Sequence, residues 1–225
     1  MPHKNKAPVR RVLIVDDHPM MRNGLAQLIG NEPDLKVIAE ADNARQGLEL
    51  VTHQTFDLVL LDISLPDKSG LELLKDIRVL RPELHVLVVS MHDELVFAER
   101  VLRAGGRGYI MKQEGGQKYL QAIRQVLAGQ IYVSDKMSAR ILESLSGRAS
   151  EKAGSSPVQR LSDREFEVFQ LIGQGLGTRE IAQRLHLSVK TVEVHRINIK
   201  EKLQVKTATE LVRFAVRWSD AQAKS

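Results

Sequence analysis

Residues 58–66 read Leu58-Val59-Leu60-Leu61-Asp62-Ile63-Ser64-Leu65-Pro66. The first four side chains are apolar, which is typical of a β-strand buried on both faces of a sheet. Asp62 directly follows this predicted strand, and Pro66 marks the loop that leaves it. Open α/β sheets bind their ligands at the carboxyl ends of the strands. The stretch therefore predicts a buried parallel strand that ends in a functional carboxylate.

Short apolar runs recur on both sides of this stretch, at residues 12–15, 36–39, 85–89 and 108–111. Amphipathic segments of helical length separate them, and several begin after a residue that can cap a helix, such as Asn43, Ser69 or Asp93. Five alternating strands and helices predict an α/β fold, with a doubly wound (βα)5 arrangement around a parallel sheet.

The second half of the chain has a different pattern. Residues 134–145 predict one short helix, and residues 146–159 are rich in Gly, Ser and Ala without apolar periodicity, which indicates a flexible linker. Residues 160–217 predict four helices, and the first of them begins with a capping box formed by Ser162 and Glu165. Two of these helices are joined by a tight turn, which predicts a small all-α helix-turn-helix domain.

Charge is distributed unevenly along the chain. Residues 12–157 hold 17 basic and 20 acidic side chains, whereas residues 158–225 hold 12 basic and 8 acidic ones. A basic second half favours a polyanionic partner, although a solvated basic surface would give the same count. The chain has no cysteine, which excludes disulfides and thiolate sites. The sequence shows no pattern of a signal peptide or membrane span, so we expect a cytoplasmic protein.

Polar side chains cluster at the predicted strand ends. Asp16, Asp17 and Asp62 could together hold Mg²⁺, which prefers carboxylate and water ligands. Ser90 offers a hydroxyl, and Lys112 offers a positive charge for a phosphoryl oxygen. Each residue alone could be a turn former, a cap or a surface residue. Their coincidence at one sheet edge favours a metal-assisted site that accepts a phosphoryl group.

Residues 11–128 resemble the receiver domain of bacterial two-component response regulators. The resemblance rests on the residues Val15-Asp16-Asp17-His18, Leu60-Leu61-Asp62-Ile63-Ser64-Leu65-Pro66, Gly70, Ser90 and Gly108-Tyr109-Ile110-Met111-Lys112. It implies a flavodoxin-like domain whose Asp62 is phosphorylated by a sensor histidine kinase.

The same resemblance implies roles for the neighbouring residues. Asp17, Asp62 and the backbone carbonyl of Ser64 would bind Mg²⁺, and Asp16 would support the ion through water. The residues that would respond to the phosphoryl group are Ser90, Tyr109 and Lys112.

Residues 161–217 resemble the LuxR-type helix-turn-helix of NarL/FixJ response regulators. The matching residues are Leu161-Ser162-Asp163-Arg164-Glu165, Gly175, Glu180-Ile181-Ala182, Leu187-Ser188, Lys190-Thr191-Val192, His195 and Lys202-Leu203. The resemblance implies binding to double-stranded promoter DNA and a dimer contact through the last helix. The alternative is a helical domain with a solvated charged face.

The predicted recognition helix spans residues 189–203. Its side chains can meet base edges and phosphates in a major groove. The predicted DNA-contacting residues are Lys190, Thr191, Glu193, Val194, His195, Arg196, Ile197, Asn198 and Lys202. Glu193 departs from the family, where many members carry a neutral or basic residue at this position.

The preferred interpretation is a DNA-binding response regulator that is not an enzyme. Its predicted parts are a receiver at 11–130, a linker with a short helix at 131–159, and a DNA-binding domain at 160–225. Phosphorylation with Mg²⁺ would promote a homodimer on DNA and so regulate transcription. One alternative is an aspartyl-phosphate hydrolase or transferase, which is disfavoured because Ser64 stands where a general acid would be needed. Another is a constitutive DNA-binding protein whose first domain only dimerises.

Overall fold

The computed structural model describes residues 8–145 and 157–223. They form two compact units that divide between Met137 and Ser138. Among the described residues, no helix is both long enough and apolar enough to cross a membrane.

The first unit is built on a five-stranded parallel sheet, as the sequence predicts. The strands follow the spatial order β2-β1-β3-β4-β5, with every neighbouring pair parallel. The strands are β1 (Arg10–Val15), β2 (Leu35–Ala41), β3 (Leu58–Leu61), β4 (His85–Ser90) and β5 (Gly108–Met111). Every residue of β3 is buried, because helices cover both faces of the sheet.

The helices of this unit are α1 (Pro19–Gly30), α2 (Ala44–His53), α3 (Gly70–Leu80), α4 (Glu94–Arg103) and α5 (Gly116–Leu127). One face of the sheet packs with side chains of α1 and α5, including Ile29 and Ile123, in a single apolar cluster. Successive strand residues point to opposite faces. On the other face, Gly47 of α2 lies against the Val15 side chain, where an added Cβ would meet it at 3.1 Å.

The helices α2, α3 and α4 begin where the sequence predicts, but only two of the three predicted capping residues form a capping hydrogen bond. The side chain of Asn43 accepts a hydrogen bond from the Gln46 N–H at 2.9 Å, and Asp93 accepts one from the Leu95 N–H at 2.9 Å. Ser69 precedes α3, yet its hydroxyl does not cap that helix.

The remaining helices are α6 (Asp135–Leu145), α7 (Asp163–Gly173), α8 (Thr178–Arg184), α9 (Val189–Leu203) and α10 (Ala208–Ala223), with a 3₁₀ turn at Pro157–Arg160. The predicted capping box is present: Ser162 N–H donates to Glu165 Oε2 at 2.8 Å, and Glu165 N–H donates to Ser162 Oγ at 3.4 Å. Most of the predicted linker, residues 146–156, lies outside the described residues.

The last helix is longer than the sequence pattern indicated. We expected it to end near Arg217, but α10 continues to Ala223. Trp218 lies beyond the predicted end, and its ring packs edge-on against Phe166 and Phe169 of α7, with centroids 5.6 and 5.5 Å away. These aromatic contacts favour continuing the helix.

Gly70 fixes the loop that carries Asp62. Its N–H donates to Ile63 O at 2.7 Å, and an added Cβ would collide with the carbonyl oxygen of Asp62 and lie 2.8 Å from Ile63 Cα. Both obstacles are backbone atoms, which cannot move aside independently of the loop.

Gly70→Ala should therefore lower the free energy of unfolding by about 1–3 kcal/mol, measured by urea denaturation. Gly24→Ala is the matched control. Gly24 lies inside α1, and beyond its own stretch of helix no atom lies within 4 Å of an added Cβ, so this change should stabilise the protein by roughly 0.5–1 kcal/mol. Equal effects of the two substitutions would contradict this role of Gly70.

Candidate functional site

Three carboxylates meet at the carboxyl edge of the sheet. Asp16 and Asp17 follow β1, and Asp62 follows β3. These strands are neighbours, with Val15 opposite Leu61, and Asp62 N–H donates to Val15 O at 2.8 Å. Asp16 and Asp62 are each only 2% exposed. The structure thus brings together the three acids that the sequence predicts to form one site.

Lys112 supplies a buried positive charge to these acids. It follows β5, and its N–H donates to Ser90 O at 2.8 Å. Its Nζ lies 2.7 Å from Asp16 Oδ2 and 2.7 Å from Asp62 Oδ2, and the side chain is 7% exposed. Burial alone would lower the pKa of Lys112, but the carboxylates of Asp62 and Asp16 raise it. Lys112 is therefore held in its charged form.

Asp62 remains short of positive charge despite Lys112. Burial and the neighbouring Asp16 carboxylate raise the pKa of Asp62, and Lys112 offsets only part of that rise, so the pKa lies at about 7. The carboxylates of Asp16 and Asp62 share one ammonium group, and that of Asp17 lies beside them, so a second cation would favour the ionised form of Asp62.

The donor set suits a divalent metal ion. Single ligand atoms from Asp16, Asp17, His18 and Asp62 lie within 4.8 Å of one another. Ser64 N–H donates to Asp62 Oδ1 at 3.3 Å, which keeps the backbone of Ser64 beside the same carboxylate. Carboxylate and carbonyl oxygens are the ligands that Mg²⁺ prefers.

Ser90 and Tyr109 lie buried next to this pocket, and both are 0% exposed. The N–H of His92 donates to Ser90 Oγ at 3.2 Å, and the Tyr109 hydroxyl donates to His92 O at 2.8 Å. Burial raises the pKa of Tyr109, so its hydroxyl stays protonated and can act as a donor. The main chain at His92 thus joins the serine to the tyrosine.

Sequence reasoning missed two histidines. The sequence assigns no role to His18, but its Nδ1 lies 2.6 Å from Asp17 Oδ1 and 3.2 Å from Asp16 Oδ1. The sequence likewise predicts no role for His92, although its Nε2 lies 2.9 Å from Ser64 Oγ. The position of His18, directly after two aspartates and before Pro19, is the sequence feature that could have indicated its place beside the acidic site. Nothing in the local sequence of His92 indicated its contact with Ser64.

Helix α9 of the second unit buries one stripe and exposes another. Val192, Ile199 and Leu203 are buried and lie on one side of the helix. The exposed residues include the charged and apolar side chains of Lys190, Glu193, Val194 and Ile197. Val194 and Ile197 are 48% and 50% exposed and lie three residues apart on one face of the helix, an arrangement that fits contact with a partner.

The other predicted DNA-contacting residues have different surroundings. Thr191 donates its N–H to Ser188 Oγ at 3.0 Å in the first turn of α9, while Lys202 Nζ lies 2.6 Å from Glu165 Oε2 and so joins α9 to α7. His195, Arg196 and Asn198 are partly buried. Burial lowers the pKa of Arg196, and the described residues provide no acidic partner for its guanidinium group. A half-buried cation of this kind is suited to a DNA phosphate.

Comparison with known families agrees with this geometry. Residues 12–124 match the response regulator receiver domain, and residues 159–215 match the bacterial regulatory proteins of the luxR family. The chain belongs to the LuxR-type response regulators. It is a DNA-binding regulator of transcription, so the family implied by the sequence is confirmed.

Two relatives span nearly the whole chain. The oxygen regulatory protein NreC of Staphylococcus carnosus (strain TM300) is 32% identical over 210 residues, covering 92% of this chain and 97% of that one. NreC of Staphylococcus aureus (strain bovine RF122 / ET3-1) is 34% identical with the same coverage.

Solved structures show the same architecture. RcsB from Salmonella enterica serovar Typhimurium, bound to the promoter rprA with the phosphomimetic BeF3-, is 25% identical with a TM-score of 0.60, covering 92% of this chain and 98% of that one. A LuxR-family response regulator from Aurantimonas sp. SI85-9A1 is 33% identical with a TM-score of 0.57, covering 61% of this chain and 99% of its own.

The raised pKa of Asp62 predicts a pH-dependent cost in stability. Between the ordinary value of 3.8 and about 7, the folded chain binds more protons at this group than the unfolded chain does. Stability is therefore lost as the pH rises through that window. In metal-free protein, Asp62→Asn should raise the free energy of unfolding by roughly 1–3 kcal/mol at pH 8 and by much less at pH 4.

Asp57→Asn is the control, because its effect on the free energy of unfolding should have the opposite sign. Both variants are measured by the same denaturation at both pH values. Although burial alone would raise it, hydrogen bonds from the Arg11 N–H and from the side chains of Arg10 and Arg11 lower the pKa of Asp57. Its neutralisation should therefore destabilise the protein at pH 8. A destabilising Asp62→Asn at pH 8 would contradict the account of the acidic site.

Proposed function

We propose that Asp62 accepts a phosphoryl group from a sensor histidine kinase, and that this covalent change controls dimerisation and promoter binding. The supporting observation is the position of Asp62 itself. It is a buried carboxylate at a sheet edge, with Lys112 at 2.7 Å and two further acids around it.

The chemistry needs an ionised nucleophile and neutralised phosphoryl oxygens. A carboxylate oxygen of Asp62 would attack phosphorus while the P–N bond of the phosphohistidine breaks, and the leaving imidazole keeps the electron pair. Bound Mg²⁺ would supply positive charge to the phosphoryl oxygens. Asp17, Asp62 and the Ser64 carbonyl would hold the ion, with Asp16 acting through water.

Lys112 would exchange part of its contact with Asp62 for a phosphoryl oxygen, since its ammonium group is already in place. Ser90 would turn its hydroxyl to the same group, and Tyr109 would follow through the shared main chain at His92. We infer that the site accepts a phosphoryl group and is not an enzyme active site, because Ser64 stands where turnover would need an acid.

The output is DNA binding by the second domain, in the cytoplasm. We propose a receiver at 11–130, a linker with a short helix at 131–159 and a DNA-binding domain at 160–225. Helix α9 would enter a major groove, with α10 forming the dimer contact over half-sites about one helical turn apart. The proposed contacts are Lys190, Thr191, Glu193, Val194, His195, Arg196, Ile197, Asn198 and Lys202.

Phosphorylation of the full-length chain by a small-molecule phosphodonor tests the site. With Mg²⁺, the intact mass should increase by one phosphoryl group, whereas Asp62→Asn should gain none. Lys112→Met should slow the reaction by about 10²-fold, because it removes a preorganised charge. Chelation of Mg²⁺ should also stop phosphorylation.

Lys118→Met is the matched control for Lys112. Lys118 is an exposed lysine paired with Glu114, and its loss removes the same charge away from the acidic pocket. It should react at the wild-type rate. Equal labelling of wild type and Asp62→Asn, or an unchanged rate in Lys112→Met, would refute the assignment.

A further inference from the structure

The chain after α5 returns to the outer edge of the sheet. Strand β5 lies at that edge, and Gly108 forms a parallel bridge with Tyr132. The N–H of Tyr109 donates to Tyr132 O at 2.8 Å, and Tyr132 N–H donates to Arg107 O at 3.0 Å. These bonds satisfy backbone groups that an edge strand otherwise leaves unpaired.

Gly108 permits this close approach. A Cβ added there would lie 2.8 Å from Tyr132 O and 3.1 Å from Tyr132 Cβ. The chain between α5 and α6 therefore packs directly against β5 at Tyr132, and a side chain at position 108 would displace it.

A second contact joins this segment to α4. Glu94 is the first residue of that helix, it is only 9% exposed, and its Oε1 accepts the Ser134 N–H at 2.7 Å. Ser134 Oγ in turn accepts the Met137 N–H at 3.2 Å, which caps the first turn of α6. Met137 is 2% exposed. Ser134 thus connects the start of α4 to the start of α6.

Both contacts lie next to the residues that surround the phosphoryl-acceptor site. Tyr109 donates its hydroxyl to His92 O, while its backbone N–H holds Tyr132. The loop between β4 and α4 connects Ser90 to Glu94 and contains His92. A rearrangement of this loop therefore acts on both attachments of the segment that follows α5.

We propose that Glu94 is a positioning residue that couples phosphorylation of Asp62 to the order of residues 131–137, and hence to α6. We call the Gly108–Tyr132 bridge and the Glu94–Ser134 hydrogen bond the linker clasp. The proposal rests on the proposed function for its input. It adds that the structural change caused by phosphorylation of Asp62 reaches α6 through the linker clasp.

Glu94 is the residue of the clasp that mutation can remove most selectively. The Tyr132 bridge consists of main-chain bonds, whereas the bond to Ser134 depends on one carboxylate. Loss of that carboxylate removes the acceptor of the Ser134 N–H and the only side-chain hydrogen bond described between α4 and this segment, which favours opening of the segment. Glu94→Gln keeps an amide oxygen that can accept the same bond.

Amide hydrogen exchange of the full-length protein, with and without phosphodonor and Mg²⁺, tests the proposal. In the wild type, phosphorylation should change exchange in residues 131–137. In Glu94→Ala, exchange there should be about tenfold faster or more in both states and should no longer respond to the donor. Glu94→Gln should retain most of the wild-type protection and response.

Glu99→Ala is the matched control. Glu99 lies on the same helix and makes an exposed ion pair with Arg103. This variant should behave as the wild type. Intact mass should show that every variant still takes up the phosphoryl group.

The outcomes separate the two proposals. Normal phosphorylation of Glu94→Ala with wild-type exchange and response in residues 131–137 would overturn the clasp and leave the proposed function standing. Absence of phosphoryl uptake by the wild type would overturn both. Normal phosphorylation with fast, unresponsive exchange in Glu94→Ala, but not in Glu99→Ala, would support the clasp.

Discussion

The ammonium group of Lys112 lies 2.7 Å from the carboxylates of both Asp16 and Asp62, and the rest of the receiver depends on this arrangement. It keeps buried acids together where their mutual repulsion would otherwise oppose folding. It does not neutralise all of them, since burial still raises the pKa of Asp62 to about 7. The remaining deficit of positive charge makes the site receptive to a metal ion, and a phosphoryl group would then meet charge already in position.

The parallel sheet makes this convergence possible. Strands β1, β3 and β5 end at one edge, so residues far apart in sequence reach the same pocket. The neighbouring loop between β4 and α4 contacts Tyr109 through His92 and the chain after α5 through Glu94. A charge change at Asp62 therefore lies within a few hydrogen bonds of the segment that leads to the second domain.

Much of this architecture follows from sequence patterns. Continuous apolar runs such as 58–61 predicted buried parallel strands, and the strand order places Asp16, Asp62 and Lys112 together as expected. Interactions between distant side chains were not predictable. The contact of His92 with Ser64 and that of Glu94 with Ser134 have no local signal, because each depends on where two separate loops pack. The continuation of α10 to Ala223 depends likewise on tertiary contacts, here those of Trp218.

A phosphoryl group on Asp62 is expected to control DNA binding by the second domain. The most direct measurement is the affinity for a DNA sequence selected from a random pool with the phosphorylated protein, compared with and without a phosphodonor at fixed salt. The donor and Mg²⁺ should tighten wild-type binding by about tenfold or more and should leave binding by Asp62→Asn unchanged. Equal affinity of the wild type with and without a phosphoryl group on Asp62 would contradict this control of DNA binding.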